Sequence, residues 1–152
     1  MRISENSSII LDPPVDINGA AVTTPWVNME EGKDLSVVIN TGVVGADFAV
    51  TLNQDILGDA AASKALAFTH YYVVDTTSGG DVPVKVEASS LTITTASDAN
   101  KCFIIPVDAS QLDVNNEFAF VRAALADPGA ATIVGTNLIL TKKRDVTASA
   151  ST

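Results

Sequence analysis

The chain has 152 residues, of which 47% are apolar and 18% are charged, and its formal net charge is −9 at pH 7. This length fits one compact domain with its own core, and the apolar content excludes a disordered chain. The acidic balance disfavours nucleic-acid binding, because such a surface repels phosphate backbones, and no apolar run is long enough for a transmembrane helix.

The first stretch is polar and rich in turn residues, and a Pro-Pro pair holds it extended. We predict an extended arm over residues 1–19, interrupted by the apolar residues Ile9, Ile10 and Leu11. A frayed terminus and an arm that packs on a neighbouring subunit both fit this pattern. The stretch lacks the apolar region of a signal peptide, which predicts synthesis in a host cytoplasm.

Residues 20–144 are predicted to form the folded domain. A first strand over residues 20–28 contains Trp26, the only tryptophan, for which core packing and an interface anchor are the two roles considered. Residues 35–40 and 48–53 alternate apolar and polar side chains around a Gly-containing loop, and this pattern predicts a β-hairpin.

The middle of the chain predicts further strands. The only helix-like window, 57–65, is short, which favours a loop or a single helical turn. A strand follows over residues 66–75, and a strand over 82–88 is followed by a returning strand over 91–94. The alternation places Val82, Val84, Val86 and Ala88 inward.

Two apolar runs, 101–107 and 117–125, are joined by a polar connector too long for a tight hairpin, which is compatible with strands that cross between two sheets. In the second run Phe118 and Phe120 alternate in one phase and Val121, Ala123 and Leu125 in the other, which fits either a strand covered on both faces or a β-bulge near Phe120 and Val121. Arg122 falls in the same phase as Phe120, and this favours the bulge. A last strand over 132–141 turns Leu138 and Leu140 inward.

These eight or nine short strands, with no alternation of strands and helices, predict an all-β fold. The fold class is a single-domain antiparallel β-sandwich, Ig-like or jelly-roll-like, followed by a flexible tail over residues 145–152.

Motifs for chemistry are absent from the sequence. There is no Gly-rich phosphate loop, no paired metal ligands and no nucleophile elbow. Cys102 and His70, each the only one of its type, are predicted to be a buried structural thiol and a hydrogen-bonded structural imidazole. The acidic loop 108–113 could hold Ca²⁺ but lacks EF-hand spacing. We therefore predict no enzyme activity, no catalytic residues, no cofactor and no metal.

Three stretches, ALAFTHYYVVD, PVKVEASS and KCFIIPVDASQLDVNNEFAFVRAALADPGAA, resemble a group of small tailed-bacteriophage proteins. In that group a short arm precedes strands that end in a VRxxLxDPGAA-like stretch, here residues 121–131. The resemblance covers residues 22–142, and the chain departs from it after Arg144. It implies a virion protein of the head decoration (cement) type on the capsid surface, with the major capsid protein as partner and no catalytic residues.

For this task the sequence offers few candidate contacts, and the predicted interface residues are Ile9, Ile10, Leu11 and Trp26. The protein is expected to act as a homo-oligomer on the capsid and to contact neither nucleic acid nor membrane.

Two alternatives stay open. A tail or baseplate structural subunit would have the same kind of sequence. A carbohydrate-binding or adhesin module would need exposed aromatic side chains, and only Trp26, Tyr71 and Tyr72 are available. The alternation predicts that Tyr71 and Tyr72 point to opposite faces of one strand.

Overall fold

A computed structural model describes residues 7–30, 32–75, 77 and 82–142, with only the backbone of Lys142. The described residues form twelve strands. In chain order these are β1 (Ser7–Asp16), β2 (Val22–Thr23), β3 (Val27–Asn28), β4 (Gly32–Thr41), β5 (Phe48–Asp55), β6 (Lys64–Leu66), β7 (His70–Asp75), β8 (Val84–Glu87), β9 (Leu91–Ile93), β10 (Lys101–Asp108), β11 (Phe120–Leu125) and β12 (Ile133–Lys142).

The strands build two antiparallel sheets. Sheet A has the order β1-β12-β4-β10-β7-β8. Sheet B has the order β2-β11-β5-β6, with β3 also paired to β11 and β9 to β5. Two short 3₁₀ turns, Ala109–Gln111 and Val114–Asn116, lie in the connector from β10 to β11, which crosses from sheet A to sheet B.

The core lies between the two sheets and is made by alternate residues of each strand. On β4 the inward residues Leu35, Val37 and Ile39 are fully buried. The inward residues of β5 and β11 meet them from sheet B, among them Leu52 and Val121. Burying a side chain of this size contributes about 2 kcal/mol, so the alternation fixes which face of each strand turns inward.

The predicted fold class is confirmed, since the chain is an antiparallel all-β sandwich. The described residues contain twelve strands where eight or nine were predicted. The additional ones are β1, which lies in the predicted arm, and those that arise because the predicted strands 20–28 and 66–75 are each divided in two. Three of the strands involved are very short, since β2 and β3 have two residues each and β6 has three. Strands of this length show no alternation that could be recognised in the sequence.

The predicted hairpin of residues 35–40 and 48–53 is wrong, although the inward faces of both strands are correct. β4 pairs with β10 and β12 in sheet A, whereas β5 lies in sheet B. The loop between them crosses the sandwich beside residues 130–133. A Cβ at Gly45 would lie 2.4 Å from the carbonyl oxygen of Ala131, so this crossing requires glycine.

Other strand predictions are corrected in the same way. The predicted strand 66–75 divides into β6 in sheet B and β7 in sheet A, and the pair 82–88 and 91–94 becomes β8 and β9 in different sheets. Val82 is 76% and Val84 62% exposed, because β8 is an edge strand beyond the cover of sheet B.

The bulge predicted near Phe120 and Val121 is not present, because β11 pairs with β5 in unbroken register from Phe120 to Leu125. Its outward and inward residues alternate regularly, with Val121, Ala123 and Leu125 buried. The helix-like window 57–65 contains bends, a turn and the start of β6, and no helix.

The predicted N-terminal arm is extended over residues 7–16 but is not separate from the domain. It forms β1, which pairs with β12 from Ser7 to Asp16 with a register shift between Asp12 and Val15. Proline at positions 13 and 14 accounts for that shift, because proline has no N–H to donate. Residues 1–6 of the arm and the predicted tail lie outside the described residues.

Candidate functional site

The outward surface of sheet A is apolar across most of its width. Nine apolar side chains point away from the core, in alternation with the buried residues of the same strands, and we call this set the apolar face. Its members are Ile9, Leu11, Val38, Tyr72, Val74, Cys102, Ile104, Pro106 and Ile139.

Strand register brings these side chains into one continuous band. A single row of directly opposed residues crosses all six strands of the sheet. From one edge to the other it runs Leu11, Asn137, Val38, Ile104, Tyr72 and Lys85. Neighbours in such a row have Cβ atoms roughly 5 Å apart and are in side-chain contact. The apolar face is therefore one surface, assembled from distant parts of the chain.

Exposure rises toward the β1 edge of the face. Leu11 is 72% exposed and Ile9 48%, whereas Val38 and Ile104 at the centre are half-buried between their cross-strand neighbours. An apolar patch of this extent, surrounded by polar residues, is typical of a surface that binds another macromolecule.

Charged side chains lie at the margins of the face. Lys85 and Glu87 form an ion pair on β8, at the sheet edge opposite β1. At one end of the strands Asp34 and Asp108 are directly opposed, and with His70, Tyr72 and Pro106 they line a shallow pocket of about 370 Å³. The central band between these margins carries no charged side chain.

The two opposed carboxyl groups titrate differently. Burial, together with a hydrogen bond to Asp108, raises the pKa of Asp34. Hydrogen bonds from Ser110 lower the pKa of Asp108, which also caps the first 3₁₀ turn. The pair thus shares a hydrogen bond in which Asp34 keeps its proton to a higher pH than Asp108 does.

The predicted interface residues are divided by the structure. Ile9 and Leu11 lie on the apolar face, but Ile10 points inward and packs against the core. Trp26 lies on the other sheet, where the guanidinium carbon of Arg122 stands 4.4 Å from the centre of its ring.

The central residues of the face, such as Val38, Ile104 and Ile139, were not among the predicted contacts. They stand in continuous apolar runs rather than in alternating ones, for example Val37-Val38-Ile39 and Leu138-Ile139-Leu140. Continuous runs are typical of strands that are covered on both faces. This pattern could have identified the face.

The outward surface of sheet B is polar or small over most of its area. Thr51, Asn53 and Ala49 of β5 alternate with its buried residues, and Arg122 and Ala124 of β11 stand beside them. Stacking on Trp26 holds the Arg122 side chain, whose Nε is buried without a hydrogen-bond partner among the described residues.

The aromatic residues available to a sugar site lie on three different surfaces. Tyr71 faces the core, with its ring 6.3 Å from that of Phe103, and Tyr72 is on the apolar face. Trp26 is on sheet B, under Arg122. The chain therefore does not assemble these three rings into one platform.

The most buried carboxylate, Asp55, has a structural role. Its oxygens accept hydrogen bonds of 3.0–3.1 Å from the backbone N–H groups of Asp59, Ala60 and Ala62. Burial acts to raise the pKa of Asp55, but these donors outweigh it and hold the pKa below its usual range. The carboxylate thereby fixes the loop after β5.

The acidic connector 108–113, considered above as a Ca²⁺ loop, is held by protein partners. The Asp113 carboxylate accepts hydrogen bonds from Lys64 and Asn116. Among the residues that the structure describes, no three His, Cys, Asp or Glu side chains are grouped as a metal site. Nor does this part of the chain contain a helix long and apolar enough to span a membrane.

Comparison with known proteins gives only distant likenesses. No protein-family model and no curated protein sequence matches the chain. The solved structures that are similar include the SPBc2 prophage-derived protein YomS, with 11% identity over 88% of this chain and 93% of that chain and a TM-score of 0.49.

A second similar structure is that of the Yersinia pseudotuberculosis-derived mitogen, with 15% identity over 92% of this chain and 88% of that chain and a TM-score of 0.35. A third is a structure of the infectious bursal disease virus Gx strain, with 12% identity over 97% of this chain and 43% of that chain and a TM-score of 0.23. At these identities and scores the similarities assign neither a family nor a function.

Proposed function

We propose that this protein is a structural virion protein that binds the outside of a phage capsid through the apolar face of sheet A. The observation that carries the proposal is the band of apolar side chains from Leu11 to Tyr72, which no described part of the chain covers. The resemblance of residues 22–142 to phage decoration proteins supplies the partner, the major capsid protein.

The dimensions of the face suit this task. Six strands spaced at about 4.8 Å, with about 3.4 Å per residue along β10, give a surface of roughly 700 Å². A protein–protein interface of standard size buries about 800 Å² on each partner, with an apolar centre and a polar rim. Sheet A has this arrangement, since its charged residues Asp34, Asp108, Lys85 and Glu87 lie at the margin.

On a capsid, each individual contact can be weak and the protein still stays bound. A capsid presents many copies of its coat protein, and contacts among neighbouring decoration subunits add to each individual contact. A rigid sandwich with an acidic remainder would then form a soluble outer layer, in keeping with the net charge of −9.

The test is co-sedimentation of the purified protein with capsids prepared without it. The variant Val38→Lys, Ile104→Glu changes a directly opposed pair at the centre of the face, keeps the net charge and allows a cross-strand ion pair. We expect at least tenfold weaker capsid binding. The matched control Thr51→Lys, Ala124→Glu changes an opposed pair on the outward surface of sheet B and should bind normally.

Equal binding by both variants, or no binding of the wild-type protein to heads, would contradict the proposal. A cryo-EM map of the whole particle completes the test. Density for this chain on the tail or baseplate, and not on the capsid, would support the alternative of a tail or baseplate subunit.

A further inference from the structure

We propose that a second copy of this chain pairs with the free edge of β1, so that the A sheets of two subunits form one continuous sheet. This inference rests on the edge strand and does not require the capsid proposal. β1 bonds to β12 on one side, and on its other side no described strand pairs with it. Its edge therefore presents backbone donors and acceptors that another strand can bind.

The two edges of sheet A differ in how they are protected. The opposite edge, β8, has only four residues and carries the charged side chains Lys85 and Glu87. Short, charged edges resist strand addition. β1 is a strand of ten residues, and none of residues 7–11 is charged. Pro13 and Pro14 end the usable edge, because they lack N–H groups.

A second copy can approach this edge without bringing carboxylates together. Each chain has a net charge of −9, so two copies repel each other in general, and a close contact is favoured where both surfaces are free of carboxylates. The segment 7–11 meets this condition. The first carboxylate beyond it, Asp12, accepts a hydrogen bond of 3.4 Å from Thr136 of its own subunit.

A two-fold pairing also has a register that suits the side chains. Antiparallel pairing centred on Ile10 sets Ile9 of one copy opposite Leu11 of the second copy, on the same outward surface. It sets each Asp12 opposite Ser8, so like charges are not directly opposed. Ile9 and Leu11, which are 48% and 72% exposed, would then be covered laterally. The apolar face would double in width across the symmetry axis.

The experiment is analytical ultracentrifugation of the purified full chain between about 1 and 100 μM. We expect a dimer in the wild-type protein and at least tenfold weaker dimerisation in the variant Ile9→Lys, Leu11→Lys, since lysine on an edge opposes strand addition. The matched control Val43→Lys, Leu57→Lys adds the same charge at residues that are 65% and 72% exposed elsewhere, and it should dimerise as the wild type does.

Hydrogen exchange on the wild-type protein tests the same inference without any substitution. Those amides of residues 8–11 that point away from β12 should be at least tenfold better protected at 100 μM than at 1 μM, while amides of β8 stay unchanged. A wild-type protein that is monomeric at 100 μM would overturn the proposal. So would a dimer that the Val38→Lys, Ile104→Glu variant disrupts and the Ile9→Lys, Leu11→Lys variant does not.

The two proposals can fail separately. A wild-type protein that binds capsids but stays monomeric at 100 μM would remove only the β1 pairing, and a dimer that does not bind capsids would remove only the capsid proposal.

Discussion

The two outward surfaces of the sandwich use their side chains in opposite ways. On sheet B the outward polar and aromatic groups have partners in the same chain, as in the stack of Arg122 on Trp26 and the loop bound by Asp55. On sheet A the outward apolar groups of the central strands lie beside their cross-strand neighbours. Sheet B thus stabilises its own loops, whereas the apolar face of sheet A is left partly exposed over the described residues.

This difference follows from the connections. At one end of sheet B the loop after β5 is bound by Asp55, and the connector before β11 is bound by a hydrogen bond from the backbone N–H of Asp113 to the side chain of Gln54. In sheet A, β4 and β10 are each followed by a segment that crosses to sheet B. The outward side chains of their central residues, such as Val38 and Ile104, stay partly exposed over the described residues.

The largest effect on stability is expected from Asp55→Ala. The substitution removes a fully buried acceptor for the backbone N–H groups of Asp59, Ala60 and Ala62, so the exposed loop after β5 loses the group that fixes it. We expect the Tm to fall by roughly 5–10 °C. Differential scanning calorimetry measures the change.

Two variants serve as controls for Asp55→Ala. Asp59→Ala removes one hydrogen bond to the exposed N–H of Ala61 and should lower the Tm by about 2 °C or less. The Val38→Lys, Ile104→Glu variant on sheet A should also stay within about 2 °C of the wild type. If that variant lowers the Tm as much as Asp55→Ala, the outward surface of sheet A contributes to stability as the core does. The contrast drawn above between the outward surfaces of the two sheets would then be wrong.

The sequence predicts features that are decided within one strand better than features that depend on contacts between distant segments. Alternation identified the inward faces of β4 and β5, because burial of Leu35 or Val50 is decided by the strand itself. The pairing of those strands was wrong, because partners such as Ile39 with Phe103 are set by contacts between distant segments. Strands of two residues, such as β2 and β3, carry no pattern at all.

The candidate site shows the same limit. Ile9 and Leu11 stood out in a polar stretch and were predicted as contacts, and the structure places both on the apolar face. Val38 and Ile104 are also on it, but their grouping depends on the register between β4 and β10. The continuous apolar runs could have indicated that these strands are apolar on both faces, although not which strands lie together.

A smaller effect is expected from the Arg122–Trp26 stack on sheet B. Arg122→Lys retains the charge but replaces the planar guanidinium, 4.4 Å from the ring centre, with a compact ammonium group. We expect a loss of about 0.5–1 kcal/mol in the free energy of unfolding. Because Trp26 is the only tryptophan, its emission should shift as its surroundings change.

Urea unfolding followed by tryptophan fluorescence measures both quantities for Arg122→Lys. The substitution Lys85→Arg on sheet A changes an exposed cation with no tryptophan nearby, and it should leave the emission unchanged. An unchanged emission maximum and stability in Arg122→Lys would show that the stack does not order this surface, and sheet B would then resemble sheet A.

The smallest effect is expected from the Asp113 carboxylate, and it should appear only in acid. A hydrogen bond from Lys64, and then one from Asn116, lower the pKa of Asp113 below its usual value of 3.8. The stabilisation is therefore present above about pH 4 and is lost as the pH falls through the folded-state pKa, because the unfolded chain binds the proton first. Asp113→Asn should thus lower the Tm by about 1–3 °C at pH 6, and this deficit should shrink as the pH falls through the folded-state pKa and the wild-type carboxyl group takes up its proton.

The control Asp127→Asn changes a carboxylate at the other end of β11, away from Lys64, where it accepts hydrogen bonds from Gly19 and Gly129. A deficit in Asp113→Asn that stays the same as the pH is lowered would mean that the side chain acts through its hydrogen-bonding shape, and not through the charge that ties the connector to sheet B.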